Sequence, residues 1–223
     1  MDILNQLNDY MKTMRLDYAI CGGGAIDLFV GHQTRPHKDL DVAVYWEDRD
    51  TIVQYMLDNA WDVYEPCGTE HLHKINAATD QKRVKTNIWC VRPDTPHYSF
   101  TKHENNMFAV DFDGKKQTDL GFIEFLFNKR RDDFFLYARN ESIKLSMNHA
   151  VLKTEGIPFL APELVLLYKS TAVHNPEYQL DFNNAMPKMD KMQKMWLEEA
   201  LNGMFPAGHK WLESRLFSES LES

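Results

Sequence analysis

Cysteine is scarce in this sequence: Cys21, Cys67 and Cys90 are the only three. An odd count without an export signal points to reduced thiols rather than a disulfide framework. At 223 residues a core can form without covalent staples. No apolar run approaches the ~18–20 residues that a membrane-spanning helix needs. The opening MDILNQLNDYMKTMRLD has early acids and no basic-then-apolar leader, so a cytoplasmic location and no membrane partner are expected. In that compartment the sequon Asn140-Glu141-Ser142 reads as chance. Positive charge is in deficit, with 25 Lys and Arg against 33 Asp and Glu and a net charge of −8. A long nucleic acid is disfavoured as partner, because such binders carry a basic face. Repeats, low-complexity tracts and long linkers are also missing. What remains is ordinary globular composition, 43% hydrophobic and 26% charged, which excludes a disordered chain.

Apolar spacing sets the elements. Ile3, Leu7, Tyr10, Met11 and Met14 recur at helical spacing, so the chain opens with an amphipathic helix. Residues 16–21 predict a short buried strand ended by Gly22-Gly23-Gly24, and a helix follows to Val30 with Gly31 as its stop. Leu40, Val42 and Val44 alternate with Asp39, Asp41 and Ala43, a strand pattern. Residues 48–59 read as a helix. Further strands are expected at 61–65, 87–91, 107–112, 120–127 and 134–137, with Asp113-Gly114 as a hairpin turn. The polar stretch 92–106, with two prolines, reads as a surface loop, and 129–133 as a solvated turn. After Gly156-Ile157-Pro158 the pattern becomes helical, with Pro162 and Glu163 at a helix start and further pieces at 182–186, 189–203 and 211–217. The fold class is therefore α/β (α+β), an α/β part over 1–155 followed by a smaller helical part over 156–223.

Chemistry concentrates in two segments, Cys21-Gly22-Gly23-Gly24-Ala25-Ile26-Asp27-Leu28 and Arg35-Pro36-His37-Lys38-Asp39-Leu40-Asp41-Val42. A strand, a glycine turn and a helix start make an anion site, where backbone amides approach a phosphate and the helix N-terminus adds positive potential. Asp39 and Asp41, at i and i+2 on a predicted strand, project from one face toward that turn. Carboxylates so close repel unless a cation lies between them, and hard oxygen ligands beside a phosphate cradle argue for Mg²⁺. The pattern is that of phosphoryl or nucleotidyl transfer. A dinucleotide-binding fingerprint needs three spaced glycines and a lone acid ~20 residues on, and a P-loop needs Gly-Lys-Ser/Thr; neither is present.

The glycine turn, helix and Asp-x-Asp strand together resemble the DNA polymerase β-like nucleotidyltransferase fold. The longer string through Gly31, Thr34-Arg35 and His37-Lys38-Asp39-Leu40-Asp41 is similar to a narrower bacterial group, the aminoglycoside 2″-adenylyltransferases and lincosamide nucleotidyltransferase-like proteins. Asn87-Ile88-Trp89-Cys90, Leu160-Ala161-Pro162-Glu163, Leu167-Tyr168-Lys169, Asp181-Phe182 and Pro206-Ala207-Gly208-His209-Lys210-Trp211-Leu212 also resemble that group. The likeness covers nearly the whole chain, except that 95–118 reads as an insertion. It implies a mixed sheet with flanking helices. It also implies Asp39 and Asp41 as ligands of two Mg²⁺ ions, and Gly22, Gly23 and Gly24 with Arg35 and Lys169 on the nucleotide. A third carboxylate, Glu124 or its rival Asp111, would complete the metal site or act as base, and Asp27 and Asp181 would meet the acceptor. The implied reaction moves NMP, from ATP or another NTP, to a hydroxyl of a small aminoglycoside- or lincosamide-like molecule.

Plainer readings stand beside these. Asp27 and Arg35 would pair and hold the helix on the loop, Asp181 would hold a helix–helix contact, and Lys169 would be a snorkelling surface lysine. Met186, Met189, Met192 and Met195 read as core packing, and Cys67, His71 and His73 lack a fourth zinc ligand. Two other functions compete. A toxin-like nucleotidyltransferase acting on tRNA would carry a basic stripe near Asp39. A non-catalytic nucleotide-binding protein would lack a third carboxylate near the pair.

Overall fold

The amphipathic start folds as expected. In the computed structural model, which describes residues 2–68, 71–96, 98–113 and 119–218, helix α1 (Asp2–Met14) buries Leu4, Leu7, Met11 and Met14. Strand β1 (Ala19–Ile20) runs straight into α2 (Gly22–Val30), which stops at Gly31 with φ 90°, a left-handed cap suited to glycine. Next come β2 (Asp41–Tyr45), α3 (Arg49–Asp58), β3 (Asp62–Pro66), β4 (His71–Ile75) and β5 (Asn87–Val91). They are followed by β6 (Tyr98–Lys102), β7 (Met107–Phe112), β8 (Phe122–Arg131), β9 (Phe134–Leu136) and β10 (Lys144–Ser146). The chain continues through α4 (Met147–Ala150), β11 (Val151–Thr154), β12 (Ile157–Leu160), α5 (Pro162–Lys169), α6 (Pro176–Ala185), α7 (Lys191–Met204) and α8 (Arg215–Ser218).

The strands form one mixed sheet in the order β11-β12-β1-β2-β8-β5-β3-β4-β7-β6, with β9 and β10 attached to β8. Two pairings are parallel, β1 with β12 and β2 with β8. The main core lies between the sheet and helices α1, α2 and α5, with Leu7, Met11, Ile26, Phe125 and Leu164 among its buried side chains. No helix among the described residues is long and apolar enough to cross a membrane.

The far half of the sheet curls. Tyr98 on β6 stacks on Phe122 of β8 with ring centres 4.8 Å apart, although β5, β3, β4 and β7 lie between them in the sheet. In a flat sheet those strands would be roughly 24 Å apart, at ~4.8 Å per step. The curl encloses a second cluster of Tyr64, Leu72, Val91 and Phe122, against which Trp89, Tyr98, Phe100, Phe108 and Val110 pack.

Several expectations change. The stretch read as a loop at 92–106 contains β6, because Tyr98 and Phe100 alternate with Ser99 and Thr101 and bury their rings in the curl. Residues 129–131 prolong β8 rather than turn; the turn comes at Asp132, φ 52°. Asp39 lies just outside β2 instead of within it. Of the methionine run, Met186 and Met189 are in the core, while Met192 and Met195 are exposed. Residues 211–217 form a 3₁₀ turn and a four-residue helix. The division at 155/156 falls in the turn of the β11–β12 hairpin, where Glu155 and Gly156 both have positive φ. Gly114, half of the expected hairpin turn, lies outside the described residues.

Candidate active site

The start of α2 brings backbone amides to one point. The first residues of a helix have no intrahelical partner for their N–H groups, so the amides of Gly22, Gly23 and Gly24 form a donor cluster with positive potential. Glycine is required at the first two positions by what lies against them. Gly22 has φ +59°, and a Cβ there would run into the Asp41 carboxylate; at Gly23 a Cβ would meet His37 and Arg35. The direction of a Cβ at Gly24 faces Leu4 and Ile20 instead, so its small size lets α2 lie close on α1.

Asp41 opens β2, and parallel pairing sets it beside Glu124 of β8. Asp39 reaches the same place from the bend before the strand. Asp39, Asp41 and Glu124 each offer an oxygen, all within 4.8 Å of one another, the one such group of potential metal ligands among the described residues. Asp111 pairs with Ser99 on the outer hairpin and is not in this group. Burial raises the Asp41 pKa well above the carboxylate range, and the charges of Asp39 and Glu124 push it further; Lys169 and Arg35 pull the other way. Burial also raises Glu124, with Asp39 adding to it, against the lowering effect of the Asn87 amide that donates to its Oε1 and of the Trp89 indole. None of the three acids makes an ion pair with a described residue.

Other acids nearby are fully engaged. Asp181 is completely buried and accepts from Arg35 Nε at 3.0 Å and Nη2 at 3.1 Å, with Lys169 Nζ at 2.8 Å. Arg35 also meets Glu177 at 3.2 Å, and Lys169 Nζ lies 4.4 Å from the centre of the Tyr178 ring. Lys169 is therefore a buried, paired lysine on α5, not a snorkelling one. Asp27 pairs with His37 Nε2 at 2.6 Å and accepts from the Thr34 amide and hydroxyl, rather than from Arg35. Burial pushes the Asp27 pKa up, but His37 and Thr34 outweigh it and hold it below the usual range.

Beside Gly22 a cavity of about 370 Å³ opens between the sheet and α5. Ala43, Leu126, Leu160 and Val165 give it apolar walls, and Asn87, Asn128, Arg139 and Tyr168 place polar groups at its edge. The Tyr168 hydroxyl donates to Asn128 Oδ1, and Arg139 donates to the Tyr168 carbonyl and the Thr171 hydroxyl.

With this geometry in hand, the comparisons with known proteins are specific. Residues 3–119, just over half of the chain, match the family model for aminoglycoside-2″-adenylyltransferase. The chain belongs to this family. It is thereby placed among antibiotic-modifying nucleotidyltransferases, and the matched span runs through 95–118. No curated protein matches. Among solved structures, the lincosamide antibiotic adenylyltransferase LnuA with lincomycin bound aligns with a TM-score of 0.52 at 17% identity, covering 84% of this chain and 97% of that one. The antibiotic-resistance factor ANT(2″)-Ia aligns with a TM-score of 0.51 at 13% identity, covering 92% of each chain. At such identities these two likenesses establish the shared fold.

Sequence reasoning missed several residues of the site. His37 and Asn87 stood in the strings that carried the family likeness, but their partners, Asp27 and Glu124, emerge only from tertiary packing. Glu177 gives no signal beyond its place in the first turn of a helix. Tyr98 was hidden in a segment read as loop, although the alternation of Tyr98 and Phe100 with polar residues was a usable strand signal.

Proposed function

We propose that the protein transfers AMP from ATP to a hydroxyl group of a small aminoglycoside- or lincosamide-like antibiotic, with release of pyrophosphate. The observation that carries this reading is the convergence of Asp39, Asp41 and Glu124 beside the donor cluster at the start of α2. Three hard oxygen donors that make no ion pair with a described residue fit Mg²⁺, and Asp39, Asp41 and Glu124 would hold it, as two ions in the family's manner. Bound there, Mg²⁺ supplies positive charge against the triphosphate and the leaving oxygen. The Gly22, Gly23 and Gly24 amides bind phosphate oxygens, and Arg35 and Lys169 add a positive field behind them.

The acceptor oxygen attacks the α-phosphorus, a new P–O bond forms, and the bond to the β-phosphate oxygen breaks. Glu124, the carboxylate beside the two aspartates, receives the proton where it does not serve as a metal ligand. Asp181 and Asp27, read from the sequence as acceptor contacts, have their oxygens on protein partners; we assign them to positioning Arg35, Lys169 and His37. The acceptor occupies the cavity between the sheet and α5, whose volume falls within the usual range for small-molecule sites. In this reading residues 1–155 are the catalytic part, and 156–223 bring Lys169 and Asp181 against it. A net charge of −8 favours a cationic acceptor over a long nucleic acid.

A screen of hydroxyl-bearing antibiotics with Mg-ATP, read as pyrophosphate release, tests the reading. Turnover with at least one member and none in EDTA is expected. Absence of release with the whole panel, together with no Mg²⁺-dependent nucleotide binding, would overturn it.

A further inference from the structure

The curl of the sheet carries an inference that the family likeness does not supply. Tyr98 lies in a three-ring stack, 4.7 Å and 14° from Phe112 and 4.8 Å and 13° from Phe122. With its ring packed flat against these neighbours, Tyr98 meets the site through its hydroxyl. That hydroxyl donates to the Lys38 carbonyl at 3.4 Å, immediately before Asp39.

The chain around Asp39 is anchored on either side. His37 is held by Asp27, and the Leu40 carbonyl accepts from the Glu124 amide at 2.9 Å. Between these anchors Asp39 is exposed and outside the strand, and the Lys38 side chain makes only a half-exposed ion pair with Glu177. The Tyr98 hydroxyl touches the backbone there from across the curl.

We propose that Tyr98 is a positioning residue for Asp39. The β6–β7 hairpin closes the sheet onto the site, and its phenol fixes the segment before Asp39 so that the carboxylate points toward Asp41 and Glu124. The inference rests on the metal-binding reading of the three acids.

The test is Mn²⁺ binding to the nucleotide-free protein, followed by electron paramagnetic resonance, for wild type, Tyr98→Phe and Asp39→Asn. Tyr98→Phe keeps the ring stack and removes the donor. Its Mn²⁺ affinity should fall about three- to tenfold, the scale of one hydrogen bond, with an unchanged Tm in EDTA. In turnover the variant should raise KM for the metal–nucleotide and leave kcat near wild type at saturation. Phe112→Leu, which loosens the stack without touching the hydroxyl, should weaken Mn²⁺ binding in the same direction. If Tyr98→Phe binds Mn²⁺ like wild type while Asp39→Asn binds weakly, the positioning role is wrong and the metal reading stands. An affinity loss that only follows a lower Tm also overturns it. If Asp39→Asn itself binds like wild type, the metal reading fails and takes this inference with it.

Discussion

Two sets of carboxylates share one frame and are treated in opposite ways. Asp181 is clasped by Arg35 and Lys169, Asp27 by His37 and Thr34, and Glu65 by Arg49 at 2.7 Å. Asp39, Asp41 and Glu124 converge without an ion pair among the described residues. Where an acid holds elements together, a donor from another element meets it: Arg35, which precedes β2, and Lys169 on α5 reach Asp181 on α6, and Arg49 on α3 reaches Glu65 on β3. Where three acids meet at the helix start, their repulsion and the burial of Asp41 and Glu124 are only partly offset by Lys169, Arg35 and Asn87, at a cost to stability that a bound cation can relieve.

The comparison breaks most sharply by swapping charge for shape. Asp41→Asn and Asp39→Asn should each slow pyrophosphate release roughly 10³-fold or more. Their Tm in EDTA should stay level or rise, because each change relieves repulsion. A lower Tm with near-normal turnover would put these aspartates in the structural set. Asp181→Ala should instead lower stability, leaving Lys169 buried without its anion and Arg35 with Glu177 alone. We expect a loss of about 3–5 kcal/mol in chemical denaturation, against near-neutrality if the clasp were dispensable.

A smaller effect sharpens the ligand side of the contrast. Mg-ATP at a hundredfold excess over Kd should add ~2.7 kcal/mol of stability, and ATP in EDTA less, because the triphosphate then faces unscreened acids. Equal thermal shifts in both conditions would contradict the metal reading.

Glu163 provides a third treatment and the smallest effect. It is buried on α5 and accepts from the Gln193 amide at 2.9 Å, and burial pushes its pKa up to about 7 from 4.5. The folded protein therefore keeps this proton to higher pH than the unfolded chain does. The stability Glu163 contributes is full below about pH 4.5 and is lost as pH rises through about 7. Glu163→Gln should be on the order of 1–2 kcal/mol more stable than wild type at about pH 8 and similar at about pH 4.5. Denaturant melts at the two pH values check this; equal differences at both would show that the carboxyl does not titrate there.

The carboxylate pair and the glycine turn were legible because they lie close in sequence and their spacing carries chemistry. Asp39, Asp41 and Gly22 needed only strand and turn logic, although Asp39 lies two residues before its strand. Glu124 entered only as one of two candidates for the third carboxylate that the family likeness implies, and its nearness to Asp41 depends on a parallel pairing that sequence does not specify. The clasps were not legible: Asp181 and Arg35 meet only after distant elements pack, and Glu65 meets Arg49 only once α3 lies on β3. Strands β10, β11 and β12 are three or four residues long, so hydrophobic period gave little to read there, whereas β6 offered an alternation of aromatic and polar residues inside a stretch read as loop.

The pairing of Ile20 with Phe159 has a kinetic side. Strand β1 is two residues long, and one of its two neighbours, β12, arrives only after most of the chain has been made. Contacts so remote in sequence carry a loop-closure cost that must be met before they stabilise anything, so this edge belongs to the slow, late stage of folding. During synthesis the glycine turn that follows β1 would wait, only partly framed, until residue 160 leaves the ribosome.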